Sequence, residues 1–265
     1  MFTRKSRGAE RLDDRLRALV ARAPATGIFC DFDGSLAPIV PNPPDARPVR
    51  GASRALHALA RRFAVVAVVS GRPVSFLVQH LHARGLRLVG LYGIEERIGR
   101  RLEVLPDVKA ARERVDATAA ALRAALPDLY IEHKGYAVAV HFRRAPDPTE
   151  AAARATPLVH RIATDHGLSD LARGKMVLEV RPPVSVDKGA VVARIVRERR
   201  LTGAIVIGDD SGDIAMFDAA GEVESSYRVA VDSDEAPREL LVRADLRLGS
   251  PEDVVELLRA LGEGA

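Results

Sequence analysis

One pattern recurs along this chain: a short apolar segment runs directly into a polar loop, and a helical segment follows. The clearest case is residues 65–69, all valine or alanine, which lead into Ser70-Gly71-Arg72. Such apolar runs are typical of strands buried on both faces, and repeated strand and helix units predict a parallel sheet covered by helices. We therefore predict a doubly wound, Rossmann-like α/β core with its chemistry at the carboxyl ends of the strands.

The pattern is interrupted in the middle of the chain by segments of a different kind. Alanine-rich helical stretches alternate there with short strands that lack the apolar runs of a buried parallel sheet. The predicted elements are a helix over 108–126, strands over 129–132 and 137–143, a helix over 149–166 and a strand over 176–181. This order predicts an inserted α+β cap, or lid. Residues 1–105 and 182–265 would then form the core, and residues 106–181 the cap domain.

The balance of charged side chains bears on the class of partner. The 265 residues include 40 Lys and Arg against 36 Asp and Glu, and only 4% are aromatic. A nucleic-acid-binding protein usually concentrates its basic side chains and offers aromatic rings for stacking, so we expect no nucleic acid partner. No apolar run approaches the roughly 18 residues that a membrane helix needs, so no membrane span is expected. Acidic residues in the basic leading segment, Asp13 and Asp14, argue against a targeting signal and favour a cytoplasmic location.

Polar side chains of particular types follow the predicted core strands, or begin the helices next to them. Six of them are of the types that catalysis and metal binding use: Asp31, Asp33, Ser70, Lys188, Asp209 and Asp213. Because the carboxyl ends of parallel strands meet at one edge of a sheet, we expect these groups to share a crevice. Several carboxylates repel one another unless a hard cation joins them, and oxygen ligands favour Mg²⁺. The sequence therefore predicts a magnesium site.

The chemistry that suits this set is phosphoryl transfer. A bare carboxylate such as Asp31 is a nucleophile that can form an aspartyl-phosphate. Asp33, two residues on, could protonate the leaving alcohol and later accept a proton from water. The charge on the transferring phosphoryl oxygens calls for a cation, an ammonium group and a neutral donor, and Mg²⁺, Lys188 and Ser70 would fill those places.

The motifs resemble the four signature motifs of the haloacid dehalogenase superfamily, and more narrowly those of its trehalose-6-phosphate phosphatases. The similar segments are 31–39, 70–72, 187–189 and 208–213 in the core, and 132–143 and 174–182 in the lid. The resemblance implies a Mg²⁺-dependent phosphatase that hydrolyses trehalose 6-phosphate in trehalose biosynthesis. The expected partner is the small-molecule sugar phosphate, and a protein partner is left open.

The resemblance also implies roles for individual residues. The metal would be held by Asp31, Asp33 through its backbone carbonyl, and Asp209, with Asp213 supporting the waters of the metal. Eight residues are predicted to bind the substrate: Gly71, Arg72 and Glu95 in the core, and Lys134, His141, Arg143, Lys175 and Glu179 in the lid.

Two departures from the family pattern leave other functions open. Tyr92-Gly93 stands where the family usually has His-Gly, and Ser211-Gly212-Asp213 lacks the acidic extension that often follows the fourth motif. The alternatives are a phosphatase of sucrose 6-phosphate or of a compatible-solute phosphate, a phosphosugar mutase or other phosphotransferase, and a nucleic-acid-binding regulatory protein.

Overall fold

The computed structural model describes residues 12–174 and 176–263. The helices within these residues are α1 (Asp14–Ala21), α2 (Ala52–Leu59), α3 (Val74–His80), α4 (Pro106–Lys109), α5 (Arg112–Ala125), α6 (Pro148–Asp165), α7 (Lys188–Arg199), α8 (Ser211–Ala220), α9 (Arg238–Arg243) and α10 (Pro251–Glu263). The strands are β1 (Thr26–Cys30), β2 (Val65–Val69), β3 (Arg87–Gly90), β4 (Glu95–Ile98), β5 (Arg101–Val104), β6 (Tyr130–His133), β7 (Val138–His141), β8 (Asp170–Gly174), β9 (Val177–Arg181), β10 (Gly203–Gly208), β11 (Ser225–Val231) and β12 (Leu246–Leu248).

The larger sheet has eight strands in the order β12-β11-β10-β1-β2-β3-β4-β5. Its first six strands are parallel, and β4 and β5 extend it as an antiparallel hairpin. Buried side chains cover both faces, with Leu56 of α2 and Leu258 of α10 on one side, and Val192 of α7 and Phe217 of α8 on the other. The predicted doubly wound α/β core is therefore confirmed, with β1 next to its centre.

The smaller sheet lies between β5 and α7 in the chain and is antiparallel, in the order β6-β7-β9-β8. Its apolar side chains, such as Val140 and Leu178, pack with Val115 of α5 and Val159 of α6. Because neighbouring residues of a strand point to opposite faces, polar side chains occupy the other face of this sheet. The fold class, a core with an inserted α+β cap, is thus confirmed, and the boundaries after residues 105 and 181 stay a prediction.

The single helix predicted over 108–126 is wrong, because the chain forms two helices there. Val108 of α4 packs with Leu91 and Ile94 of the core, whereas Val115 of α5 packs within the lid. Two different apolar clusters therefore hold the two halves of the segment, and the helix is interrupted between Lys109 and Arg112. Among all the helices that the structure describes, none is both long and apolar enough to cross a membrane.

Candidate active site

The loop after β1 brings its first carboxylate to the edge of the sheet. The backbone N–H of Asp31 donates to the carbonyl of Ile207 in β10 at 2.9 Å, which fixes the start of the loop. Gly34 has a φ of +84°, and a Cβ built on it would lie 2.0 Å from Oδ2 of Asp209. Only glycine fits such a close approach in this conformation. The loop therefore passes directly over the Asp209 carboxylate.

Three buried carboxylates meet at this edge. Asp31, Asp209 and Asp213 each present an oxygen, and these atoms lie within 4.8 Å of one another. The ammonium group of Lys188 donates to Oδ1 of Asp31 at 2.8 Å and to Oδ1 of Asp213 at 2.7 Å. Three acidic groups against one ammonium leave an excess of negative charge, and an all-oxygen donor set suits Mg²⁺. The residues present therefore fit the predicted ion.

Burial and mutual repulsion set the ionisation of this cluster. Burial raises the pKa of Asp31 well above its ordinary value, against the opposing effect of Lys188. Burial likewise raises the pKa of Asp213 to about 7. Burial alone would lower the pKa of Lys188, but the charges of Asp213 and Asp31 outweigh it and raise that pKa well above its ordinary value. The lysine is therefore an ammonium ion, and a divalent cation would favour the ionised carboxylates.

The raised pKa of Asp213 predicts how the stability of the metal-free protein varies with pH. Between its ordinary value of 3.8 and about 7, the native carboxyl holds a proton that the unfolded chain has released. Native protein therefore binds more protons in this window, and stability falls as the pH rises through it. We expect a smaller fall in Asp213→Asn, whose amide oxygen can still accept the N–H groups of Asp209 and Asp210. Thermal unfolding in a chelator measures this, and parallel curves for the two proteins would contradict it.

Asp33 lies apart from the three carboxylates and is held by Arg72. Nε and Nη2 of Arg72 donate to the two oxygens of Asp33, each at 2.7 Å. Nη1 of the same guanidinium donates to the carbonyl of Pro43 at 2.8 Å, and its carbon lies 4.6 Å from the centre of the Phe76 ring. Protein groups thus engage all three nitrogens of Arg72, and its predicted contact with a substrate stays a prediction.

The second loop of the core closes one side of the site. Ser70 is buried, and its hydroxyl accepts the backbone N–H of Arg72 at 3.2 Å. The carbonyl of Gly71 accepts a hydrogen bond of 3.2 Å from the ammonium group of Lys134, which comes from the lid. This contact joins the second motif of the core to the turn between β6 and β7.

The polar face of the lid supplies further groups. Lys134 forms a buried ion pair with Glu179. Glu179 of β9 and Glu132 of β6 both lie opposite Ala139 of β7, so the two glutamates lie in one row across the sheet. Nε2 of His141 lies 2.9 Å from a carboxylate oxygen of Glu132. Burial raises the pKa of Glu132, but the hydrogen bond from His141 and the charge of Lys134 outweigh it, so the net shift is downward.

Three of the predicted substrate residues differ from the others in where they lie or in what they contact. Arg143 lines the cleft but also forms a two-bond ion pair, at 2.7 and 2.9 Å, with Glu235 of the core. Glu95 is not among the residues that line the cleft; its carboxylate accepts the N–H of Val74 at 2.7 Å and so caps α3. Lys175 lies outside the described residues.

The cleft lies between the core edge and the polar face of the lid, and both contribute to its lining. Asp213 is fully buried and is not among the lining residues. The other predicted residues line the cleft, from Asp31, Asp33, Ser70, Gly71, Arg72, Lys188 and Asp209 in the core to Lys134, His141 and Glu179 in the lid. Sequence reasoning missed Tyr92, Glu132 and Met176. Glu132 could have been found, because strand alternation puts it on the face opposite the apolar Ile131.

Two aspartates follow the central strand β1 of a largely parallel sheet, further acids follow β10, and a lysine begins α7 beside them. With a lid inserted above this edge, the arrangement defines the haloacid dehalogenase class. Residues 29–249 match the family model described as trehalose-phosphatase. The chain belongs to the trehalose-phosphatase family.

Comparisons with individual proteins agree with the family. The trehalose-phosphate phosphatase of Mycolicibacterium paratuberculosis is 34% identical over 257 residues, which cover 92% of this chain and 63% of that protein. The trehalose-phosphate phosphatase of Mycobacterium leprae is 32% identical over 222 residues, 76% of this chain and 48% of that protein. The chain thus spans less than two thirds of the length of these relatives. The structure of Aspergillus fumigatus trehalose-6-phosphate phosphatase is 27% identical with a TM-score of 0.63, covering 96% of this chain and 98% of that one.

Proposed function

We propose that this protein is a Mg²⁺-dependent phosphatase that hydrolyses trehalose 6-phosphate to trehalose and phosphate, in the cytoplasm, as a step of trehalose biosynthesis. The observation that carries the phosphatase assignment is the cluster of Asp31, Asp209 and Asp213 around Lys188, at the sheet edge below a polar lid. Membership of the trehalose-phosphatase family and the names of the relatives support the choice of sugar.

The core residues divide the chemistry among them in this proposal. Asp31, Asp209 and the backbone carbonyl of Asp33 would hold the magnesium ion, with Asp213 supporting its waters, and the bound ion would supply positive charge to the phosphoryl oxygens. The Asp31 carboxylate attacks phosphorus, so that a bond from Asp31 to phosphorus forms while the bond from phosphorus to the sugar oxygen breaks. Lys188 holds the attacking carboxylate in place and stabilises the charge of the transferring group.

Asp33 is the proposed acid and base. It gives a proton to the departing sugar oxygen, and it then takes a proton from the water that hydrolyses the aspartyl-phosphate. In the structure both of its oxygens accept from Arg72, which favours the ionised carboxylate, so Asp33 must take up its proton when the sugar phosphate binds and this pair opens. Precise placement of such a group is a large part of its catalytic effect.

The lid, residues 106–181, is proposed to close over the substrate and to exclude bulk water. Two contacts support this role: Lys134 reaches the carbonyl of Gly71, and Arg143 reaches Glu235. Lys134 and Glu179 on the polar face of the lid would bind the sugar. Closure of this kind keeps bulk water away from the phosphoryl group while Asp31 attacks it.

The ion pair between Arg143 and Glu235 predicts a measurable effect on lid closure. Arg143→Glu places two carboxylates together, and we expect KM for the sugar phosphate to rise about threefold, since partly exposed ion pairs contribute little. Combining Arg143→Glu with Glu235→Arg should restore KM, because the attraction is re-formed in reverse. Arg154→Glu is the matched control, as Arg154 pairs with Asp128 inside the lid. A double variant no better than the single one would mean that Arg143 acts on the substrate directly and not through its pair with Glu235.

The proposed function is tested by measuring phosphate release from a panel of esters with Mg²⁺. Trehalose 6-phosphate should be preferred over sucrose 6-phosphate and glucose 6-phosphate, and a chelator should abolish the reaction. No preference for the trehalose ester would overturn the choice of substrate. Labelled phosphate that appears on a second sugar, rather than in water, would indicate a phosphosugar mutase instead.

A further inference from the structure

A short turn between β3 and β4 presents an aromatic side chain that the mechanism above does not use. Leu91, Tyr92 and Gly93 have φ angles of +50°, +59° and +116°. Two successive residues other than glycine in this region are uncommon, and backbone strain of this kind collects at functional sites. The structure thus maintains a costly conformation at the position of Tyr92.

The turn is fastened to the second motif of the core. The N–H of Leu91 donates to the carbonyl of Arg72, and the N–H of Tyr92 donates to the carbonyl of Ser70, each at 3.0 Å. A Cβ built on Gly71 would lie 2.6 Å from the Tyr92 hydroxyl oxygen, so the phenol lies directly against this loop. Tyr92 is therefore held in the cleft by the same segment that carries Ser70.

The phenol ring lies where the core and the lid meet. The guanidinium carbon of Arg181, at the end of β9 in the lid, is 5.0 Å from the ring centre. The ammonium nitrogen of Lys188, in the core, is 6.0 Å from it. Arg181 is also paired with Asp170 of β8 at 2.7 Å, so its position follows that of the lid sheet. The ring thus contacts a cation from each side of the cleft.

The hydroxyl of Tyr92 is free to donate a hydrogen bond to a ligand. No hydrogen bond joins it to any residue that the structure describes, although tyrosine hydroxyls in half-buried positions usually find a partner. Burial and the negative charge of Glu179 raise the pKa of Tyr92 well above its ordinary value, so the hydroxyl keeps its proton at neutral pH.

Glu179, which lines the same cleft, carries an acceptor atom without a partner among the described residues. Oε2 of Glu179 is buried and makes no hydrogen bond within the described chain, while Oε1 pairs with Lys134. A sugar hydroxyl can accept one hydrogen bond and donate another. Tyr92 as donor and Glu179 as acceptor therefore complement a hydroxyl group of a bound sugar.

We propose that Tyr92 is a specificity-determining residue, whose hydroxyl donates to a hydroxyl group of the sugar bound between the core and Glu179. Lys188 and Ser70 serve the phosphoryl group, whereas the ring of Tyr92 also lies against Arg181 of the lid. The inference rests on the proposed phosphatase function and adds a sugar contact to it. It also gives a role to the tyrosine that stands where the resembled family usually has histidine.

The test compares Tyr92→Phe with the wild type on trehalose 6-phosphate and on p-nitrophenyl phosphate, which has no sugar. The ratio of kcat/KM for the sugar ester to kcat/KM for the aryl ester should fall about tenfold, the effect of losing one well-placed hydrogen bond. Tyr92→His should also lower this ratio, because imidazole does not reach the place of the phenolic hydroxyl. Tyr227→Phe is the control: the Tyr227 hydroxyl bonds to Asp13 outside the cleft, so the ratio should match the wild type.

The ratio measured for Tyr92→Phe, together with the activity of the wild type, decides whether Tyr92 contacts the sugar. An unchanged ratio in an active Tyr92→Phe overturns it, whether both activities are retained or both fall equally, since an equal fall would place the hydroxyl on the phosphoryl group. A wild type that hydrolyses p-nitrophenyl phosphate but prefers another sugar ester corrects only the sugar, and the ratio is then measured with that ester. A wild type that hydrolyses no ester overturns the proposed function and this inference with it.

Discussion

Asp31→Asn is expected to abolish turnover while leaving the fold intact. The amide oxygen is too weak a nucleophile to form the acyl-phosphate, so we expect the rate to fall at least about ten-thousand-fold. The amide can still accept the hydrogen bond from Lys188. Asparagine has nearly the size of aspartate and removes one of three crowded carboxylates, so the metal-free protein should not lose stability. Phosphate release measures the loss of turnover, and thermal unfolding measures whether the fold keeps its stability.

Asp33→Asn is the informative partner of this variant, because it keeps the proposed nucleophile. With p-nitrophenyl phosphate, whose leaving group needs no proton, Asp33→Asn should release a stoichiometric burst of nitrophenolate and then turn over slowly. Asp31→Asn should show no burst, since no phosphoenzyme forms. Asp218→Asn, at an exposed pair with Arg243, controls for the substitution itself. Substantial turnover by a folded Asp31→Asn would mean that another group attacks phosphorus.

The core could be predicted because its strands are buried on both faces and therefore read as continuous apolar runs. The run at 65–69 is strand β2 with the same bounds, and the apolar residues 204–207 lie within β10. The hairpin of β4 and β5 was not predicted, because residues 95–104 are rich in charged side chains. It extends the edge of the sheet, where Leu102 is 55% exposed, and so lacks the apolar signal.

The meeting of the predicted catalytic groups could be inferred from the expected sheet topology. Parallel strands place their carboxyl ends together, so motifs far apart in sequence had to meet, as Lys188 and Asp31 do across 157 positions. Individual side-chain partners could not be predicted in this way. The partner of Arg143 lies 92 residues away in a loop of the core, and only the placement of the lid brings Glu235 to it.

The position of the Tyr92 ring in the cleft could not be predicted, for a different reason. A tyrosine next to a glycine after a strand has no sequence signature that distinguishes a ring in a cleft from a ring on the surface. Its position depends on a left-handed turn, which residues other than glycine rarely adopt. Local sequence preference is overridden here by the hydrogen bonds that tie the turn to Ser70 and Arg72.

Lys188→Met is expected to have the largest combined effect on activity and stability. The side chain of Lys188 is 3% exposed. It donates to the carboxylates of Asp31 and Asp213, whose side chains are 5% and 0% exposed. Without the ammonium group, these carboxylates lose their buried counter-charge, and removal of one partner of such a pair costs about 3–5 kcal/mol of unfolding free energy. Activity should fall about a thousandfold, because charge stabilisation of the phosphoryl group is lost. Chemical denaturation in a chelator and phosphate release with Mg²⁺ measure the two effects.

A second substitution separates the two roles of this lysine. Adding Asp213→Asn to Lys188→Met removes one of the stranded charges, so the double variant should regain much of the lost stability in the chelator, and the coupling energy of the two substitutions follows from the cycle. Activity should not return, since neither the ammonium group nor the Asp213 carboxylate is restored. Saturating Mg²⁺ should stabilise Lys188→Met more than the wild type, because the ion replaces the missing positive charge. If Lys188→Met proved as stable as the wild type without metal, the carboxylates would not be crowded enough to require a cation, and the case for the magnesium site would be lost.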